Sequence, residues 1–365
     1  QLIRMDESRK FLQYYKKDGT FYESRLEDRG TVIPGSRNTD AKGAIKSVFG
    51  IQFYASFQGL FSVCYSENGE ELSLGFGNGT IQIRDAKNGK LLALCRRPTS
   101  GTSPITCIRR HPSVSKLYFS ADTDGYIYYF TREGGTDTLT KEADNEIYSL
   151  DVEGTGCKVL TGGRDLNLRL YDLDSRRVIN VYQAAPNTSD IIANELYGHT
   201  ARINCVKAFP DNPYMFASGG WDSAIRLWDT RLTSGIVRIL HGPMISGDAI
   251  DIKGFKMATA SWTVRNGLDI WDLRTNSKSG TYALKPKSNK GEYLYSCRFL
   301  DADSSCSKVF VSGSGINNVQ VIDVQKNRVV GVLEGERAVC CLSASGSRVC
   351  GGLVDSSIKV AESDQ

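Results

Sequence analysis

Along most of the chain, apolar and polar residues alternate in short runs, and clusters of Gly, Asn, Asp and Ser interrupt them. The alternation predicts one strand over Ile203-Asn-Cys-Val-Lys-Ala-Phe209, a second over Tyr214-Met-Phe-Ala-Ser218 and a third over Ile225-Arg-Leu-Trp228. A period of two bounded by turn residues marks a half-buried strand. No helical period of useful length appears among these runs.

One longer pattern recurs: small residues, a polar turn, then apolar, any residue, apolar, aromatic and Asp. Its clearest copy is Ala217-Ser-Gly-Gly-Trp-Asp-Ser-Ala-Ile-Arg-Leu-Trp-Asp229. Aligning the other copies on the last residue selects Asp85, Thr131, Asp172, Asp229, Asp272, Asp323 and Glu362, at spacings of 46, 41, 57, 43, 51 and 39 residues. These lie near the roughly 40–45 residues of a four-stranded repeat unit, with insertions in the longer ones. Seven such units arranged radially predict an all-β, seven-bladed propeller with four antiparallel strands per blade, a closed form that leaves no exposed sheet edge at the ring seam.

The last unit runs through Val339-Cys-Cys-Leu342, Val349-Cys-Gly-Gly352 and Ile358-Lys-Val360 and lacks a fourth strand. The apolar segment at about 47–57 precedes the first unit and is free to supply it. The expected division is a charged, aromatic arm over 1–43, a propeller over 44–362 and a tail over 363–365. The blades fall at about 58–98, 99–142, 143–194, 195–241, 242–286, 287–334 and 335–362. The arm carries Phe11, Tyr14, Tyr15, Phe21 and Tyr22, and packing of these rings on the propeller is expected, with a partner-binding arm as the alternative.

The pattern resembles the WD40-repeat family. Leu227-Trp228-Asp229 and Ile270-Trp271-Asp272 hold its Trp-Asp dipeptide, and Gly198-His199 its other hallmark. The resemblance covers about residues 44 to 362 and implies the propeller independently. It also implies that His199, Ser218, Asp222 and Trp228 form a hydrogen-bonded chain inside blade 4, a structural role rather than a catalytic one for Asp222. Elsewhere the Trp position holds Arg84, Phe130, Tyr171, Ile322 and Ala361, so those blades are expected to rely on packing alone.

The same resemblance implies a binding rim, fed in each blade by the residue before the turn Asp and by the two flanking the first apolar residue of the opening strand. Those positions hold Trp221, Trp262, Arg164, Phe61, Tyr148, Arg202, Asn204, Tyr293 and Tyr295. Two of the four Trp are spent at turns where the fold does not ask for them, and Trp, Tyr and Arg dominate protein interfaces. A non-enzymatic scaffold binding a protein or peptide on this rim is therefore expected; caging of a methylated Lys is another use for such rings. Trp228-Asp-Thr-Arg231 and Trp271-Asp-Leu-Arg274 also resemble the box of WD proteins that recruit cullin-type ubiquitin ligases through an adaptor. That makes a ligase substrate receptor, contacting the adaptor through Arg231 and Arg274, the alternative.

Composition narrows the function further. A formal charge of +4, from 45 basic and 41 acidic residues, is too even for a nucleic-acid binder. Arg109-Arg110-His111, Arg176-Arg177 and Lys285, Lys287 and Lys290 are expected to be solvated loop charge. The 36 Gly against 9 Pro fit many tight turns. No apolar run reaches the roughly 18 residues of a membrane span. The 10 Cys lack metal-type spacing, and Cys64, Cys107, Cys205, Cys297 and Cys341 stand in alternating apolar stretches as buried thiols. A reducing, intracellular setting in cytoplasm or nucleus is expected, with the sequons at Asn78 and Asn187 unused. Of the three His, His111 falls in the second unit and His199 and His241 near opposite ends of the fourth. Gly75-Phe-Gly-Asn-Gly79 sits at a strand–strand turn rather than opening a helix. No catalytic residue, cofactor or metal is expected; the oligomeric state is open.

Overall fold

In the computed structural model the residues described are 30–35, 41–96, 103–183, 198–232, 235–284, 286 and 291–363. Most of the N-terminal arm, Asn187 and the Lys285, Lys287 and Lys290 group lie outside them.

Seven antiparallel sheets form the ring. Their innermost strands are Leu60–Tyr65, Ile105–Arg110, Ile147–Val152, Ile203–Phe209, Ile250–Lys253, Leu294–Phe299 and Val339–Ser345. Each touches the next, and Val339–Ser345 touches Leu60–Tyr65, so the ring closes. The third strands end on Asp85, Thr131, Asp172, Asp229, Asp272 and Asp323; the seventh runs to Ser363, one residue beyond Glu362. Ile45–Gln52 pairs with Ser357–Ser363 and completes blade 7 from the other end of the chain.

The arm contributes more to the sheets than a bare tether would. Thr31–Pro34 pairs with Ile45–Gln52, and Ala41–Gly43 pairs with Arg328–Glu334, so blades 7 and 6 have five strands. These additions occupy outer edges that would otherwise present unpaired backbone groups. After Gln52 the segment leaves the sheet, and Phe53 and Phe57 pack on Phe76 with centroids 4.8 and 4.5 Å away.

Neighbouring blades meet through apolar residues of each inner strand pressed against small residues of the preceding blade. At Gly75 an added Cβ would lie 2.6 Å from Ile105 Cγ2, and at Gly352 2.4 Å from Leu60 Cδ2. Any larger side chain there would push the blades apart. The inner strands share no backbone ladder, so side chains bridge them: Ile108 N donates to Ser62 Oγ (2.6 Å), Val206 N to Ser149 Oγ (2.9 Å) and Ala208 N to Asp151 Oδ2 (2.8 Å).

Two sequence expectations are corrected here. Of Arg109-Arg110-His111 only Arg110, at the end of a strand rather than in a loop, is exposed as solvated charge would be. Arg109 lies on the innermost strand of blade 2 with its guanidinium in the channel, while His111 is buried and accepts from Ser113 N and Val114 N at its Nδ1. Charge runs look solvated in sequence, but a channel-lining strand turns alternate residues inward.

Nor do the degenerate blades rely on packing alone. In blade 3 buried Glu142 accepts from Thr161 Oγ1 (2.5 Å), Tyr171 OH (2.9 Å), Asn145 Nδ2 (2.5 Å) and Arg169 Nη1 (3.0 Å). Arg169 also pairs with Asp165. In blade 2 Tyr128 OH donates to buried Asp122 (2.8 Å). Buried polar atoms need partners whatever the consensus letters are. Tyr171→Phe removes one of Glu142's four donors and should lower stability by about 1 kcal/mol, read from the denaturation midpoint; no change would mean that the hydroxyl contributes nothing to the blade.

Candidate partner-binding rim and channel mouth

Within blade 4 the short turns on either side of the second strand bring four side chains into a line. Trp228 Nε1 donates to Ser218 Oγ at 2.7 Å, Ser218 Oγ lies 2.6 Å from His199 Nε2, and His199 Nδ1 lies 2.8 Å from Asp222 Oδ2. Arg226 Nη1 donates to the same carboxylate oxygen at 2.6 Å. Burial pushes the His199 imidazole down, against the pull of Asp222. Burial would raise Asp222, but His199 and Arg226 hold it down at about 2. A neutral His beside an ionised Asp fixes the direction of the chain: Trp N–H to Ser, Ser O–H to His, His N–H to Asp. None of the four lines either of the two channel cavities.

The strand starts and the second-to-third strand turns share one end of the ring, and the rim candidates gather there in two groups. In blades 5 and 6 Trp262 touches Tyr293 and Tyr295, with both centroid distances 4.9 Å and interplanar angles of 43° and 48°. The rings touch one another instead of facing across a gap, so they do not form an open cage. In blades 3 and 4 Arg164 Nη1 pairs with Glu146 (2.6 Å), Tyr148 OH donates to Glu146 (2.5 Å), and Tyr148 lies beside Arg202. Arg202 stacks on Trp221 with its guanidinium carbon 3.3 Å from the ring centroid. Trp221 remains 44% exposed and Phe61 42%, whereas Trp262, Tyr293 and Tyr295 are half-buried.

A cavity of about 360 Å³ at the mouth of the central channel joins the groups; Phe61, Tyr148, Asn204 and Tyr295 all line it. Its floor is an ion network. Asp248 receives Arg109 Nη2 at 2.6 Å and Arg298 Nη2, Arg109 Nε lies 3.4 Å from Asp151, and Lys207 Nζ lies 3.0 Å from Asp251. Burial works against the Asp248 charge, but Arg109 and Arg298 hold its carboxyl well below the usual range. A second cavity of about 340 Å³ opens on the far side of this network, at the strand ends. Sequence reading missed Glu146, Asp248 and Arg298. Asp248 and Arg109 are 139 positions apart, so only ring closure makes them neighbours.

Arg231 and Arg274 follow third strands, which end at the opposite face. Each bonds its own Asp through Nε and Nη2, Asp229 at 2.9 and 2.6 Å and Asp272 at 3.0 and 2.6 Å. They sit over the exposed rings of Tyr214 (4.7 Å) and Phe255 (5.6 Å). Among the described residues no group of three or more His, Cys, Asp or Glu is placed to hold a metal ion, and no helix is long and apolar enough to cross a membrane.

Comparison with known proteins agrees with this architecture. The family described as WD domain, G-beta repeat, matches residues 192–229, the stretch that holds His199 to Asp229. The methylosome protein WDR77 of Xenopus laevis is 32% identical over 98 residues, 27% of this chain and 25% of its own. The guanine nucleotide-binding protein subunit beta of Arabidopsis thaliana is 33% identical over 177 residues, 45% of this chain and 44% of its own. The ribosome biogenesis protein ytm1 of Schizosaccharomyces pombe is 30% identical over 104 residues, 28% of this chain and 22% of its own. The chain thus spans less than half the length of each of these relatives. With one WD40 repeat matched by sequence and seven blades of the same four-stranded build, the chain is a seven-bladed β-propeller similar to the WD40-repeat family.

Proposed function

We propose that this propeller is a non-enzymatic scaffold that binds a peptide or protein partner on the rim around the channel mouth. The observation that carries the reading is an opening lined by Phe61, Tyr148 and Tyr295, with Trp262 and Tyr293 clustered against Tyr295 on one side and Arg202, stacked on Trp221, beside Tyr148 on the other. Rigid rings and a stacked guanidinium bury much area at small entropic cost, as interface anchors do. All ten cysteines are free thiols, which supports an intracellular setting.

The test is affinity purification from native lysate with the Trp221→Ala/Trp262→Ala/Tyr295→Ala variant, after circular dichroism shows it folded. Anchors of this type lose about 2 kcal/mol or more each on truncation, so the variant should lose the partners that the wild type captures. Retention of the same partners would move the binding site off the rim.

The ligase-receptor reading draws on a different feature, the repeated pairing of Arg231 with Tyr214 and Arg274 with Phe255 on the opposite face. It expects Arg231→Ala/Arg274→Ala to lose one adaptor while rim partners remain bound. Loss of nothing would remove that reading.

A further inference from the structure

We propose that the channel mouth takes one uncharged apolar side chain, aliphatic or aromatic, as the anchor of a peptide partner, and rejects a cationic or anionic one. The inference rests on the rim reading and names the chemistry that the opening selects.

The walls are apolar where Phe61, Tyr148 and Tyr295 stand, and the volume of about 360 Å³ is at the small end of ligand pockets, suited to a single large side chain. Four of the polar groups around it are engaged by the propeller itself. Ser62 Oγ accepts from Ile108 N, Ser149 Oγ accepts from Val206 N, and Thr106 Oγ1 donates to Ile147 O at 2.7 Å. The Asn204 amide nitrogen donates to Ile245 O at 2.8 Å.

The floor is occupied in the same way. Asp248 looks suited to a cation, but both of its oxygens already receive guanidiniums, Arg109 on one and Arg298 on the other. Those guanidiniums are engaged in turn: Arg109 Nη1 donates to Ile108 O at 3.1 Å, and Arg298 Nη1 to Cys297 O at 2.7 Å. Across the network Arg109, Lys207 and Arg298 balance Asp151, Asp248 and Asp251, leaving no net charge. An entering ammonium or guanidinium would lose its water and find both Asp248 oxygens already bonded. A carboxylate would meet a network without net charge, in which the one unbonded donor of Arg109, Nε, faces Asp151 at 3.4 Å. An apolar side chain loses only unfavourable hydration.

Random linear peptides displayed on phage are the probe, selected on the immobilised full chain and then titrated as synthetic peptides. The expected result is a shared Leu, Met, Phe or Trp. Its replacement by Lys or Glu should weaken binding at least about tenfold, and binding should fail in the Trp221→Ala/Trp262→Ala/Tyr295→Ala variant. If the shared residue is Lys, Arg, Asp or Glu while binding still fails in that variant, the anchor inference is overturned and the rim reading survives. If the selected peptides bind the variant as well as the wild type, or none is enriched, both fall.

Discussion

Trp228→Ala should lower the stability of the propeller by about 3–5 kcal/mol, the cost of emptying a buried aromatic site that cannot collapse. The indole is 1% exposed, stacks on Phe216 at 5.7 Å and 6°, and meets Tyr182 at 5.2 Å. Tyr182 belongs to the outer strand of blade 3, so the cavity would open between two blades as well as within one. The loss has a polar part too. Without the indole N–H, Ser218 keeps its bond to His199 but loses its donor inside a fully buried site. Trp228→Phe separates the two parts: it retains most of the stacking and should cost about 1–3 kcal/mol. Denaturant titration of both variants is the measurement. An alanine variant within about 1 kcal/mol of wild type would mean that the site repacks and the line from Trp228 to Asp222 is not what holds blade 4.

The contrast between blades 4 and 3 explains how much of this was legible. The seven units were readable because strand alternation and turn residues are local, and six of the seven third strands end where the spacing placed them, the last one residue beyond. Blade 4 was readable as a network because its residues match the family letters. Blade 3 builds a comparable network from different letters, with Glu142 before the opening strand, Thr161 on the second strand and Tyr171 on the third. Arg169 stands two residues before Tyr171 as Arg226 does before Trp228, and each Arg pairs with the Asp of its turn. What recurs is the supply of donors and acceptors to a buried turn, and a consensus records only one solution. The rim was legible at the level of residue type, since an exposed Trp at a turn is odd wherever it sits. Which rings would touch was not, because Trp262 and Tyr295 come from adjacent blades.

Asp248→Asn should cost about 3–5 kcal/mol at neutral pH, because removing one partner of a buried ion network leaves its opposite charges uncompensated. Arg109 and Arg298 would then face each other across a neutral amide, with only Asp151 and Asp251 left to balance them and Lys207. The lower end of the range is expected, since 23% of the Asp248 side chain is reached from the channel. Arg109→Met in the same background should return part of the loss, and that non-additivity identifies the pair as coupled. The pH dependence follows from the depressed Asp248 carboxyl. The unfolded chain takes up this proton near the ordinary carboxylate value of about 3.9, while the folded ring resists it. The stabilisation is therefore whole above about pH 4 and declines as the pH falls below that. The Asn variant has no such group, so the stability gap between the two proteins should narrow on acidification. Asp222, depressed to about 2 in both proteins, loses its contribution over the same range and cancels from the difference. A gap that stayed constant from neutral pH to pH 3 would show that the Asp248 charge does not hold the channel, and that the damage comes from the shape of the amide alone.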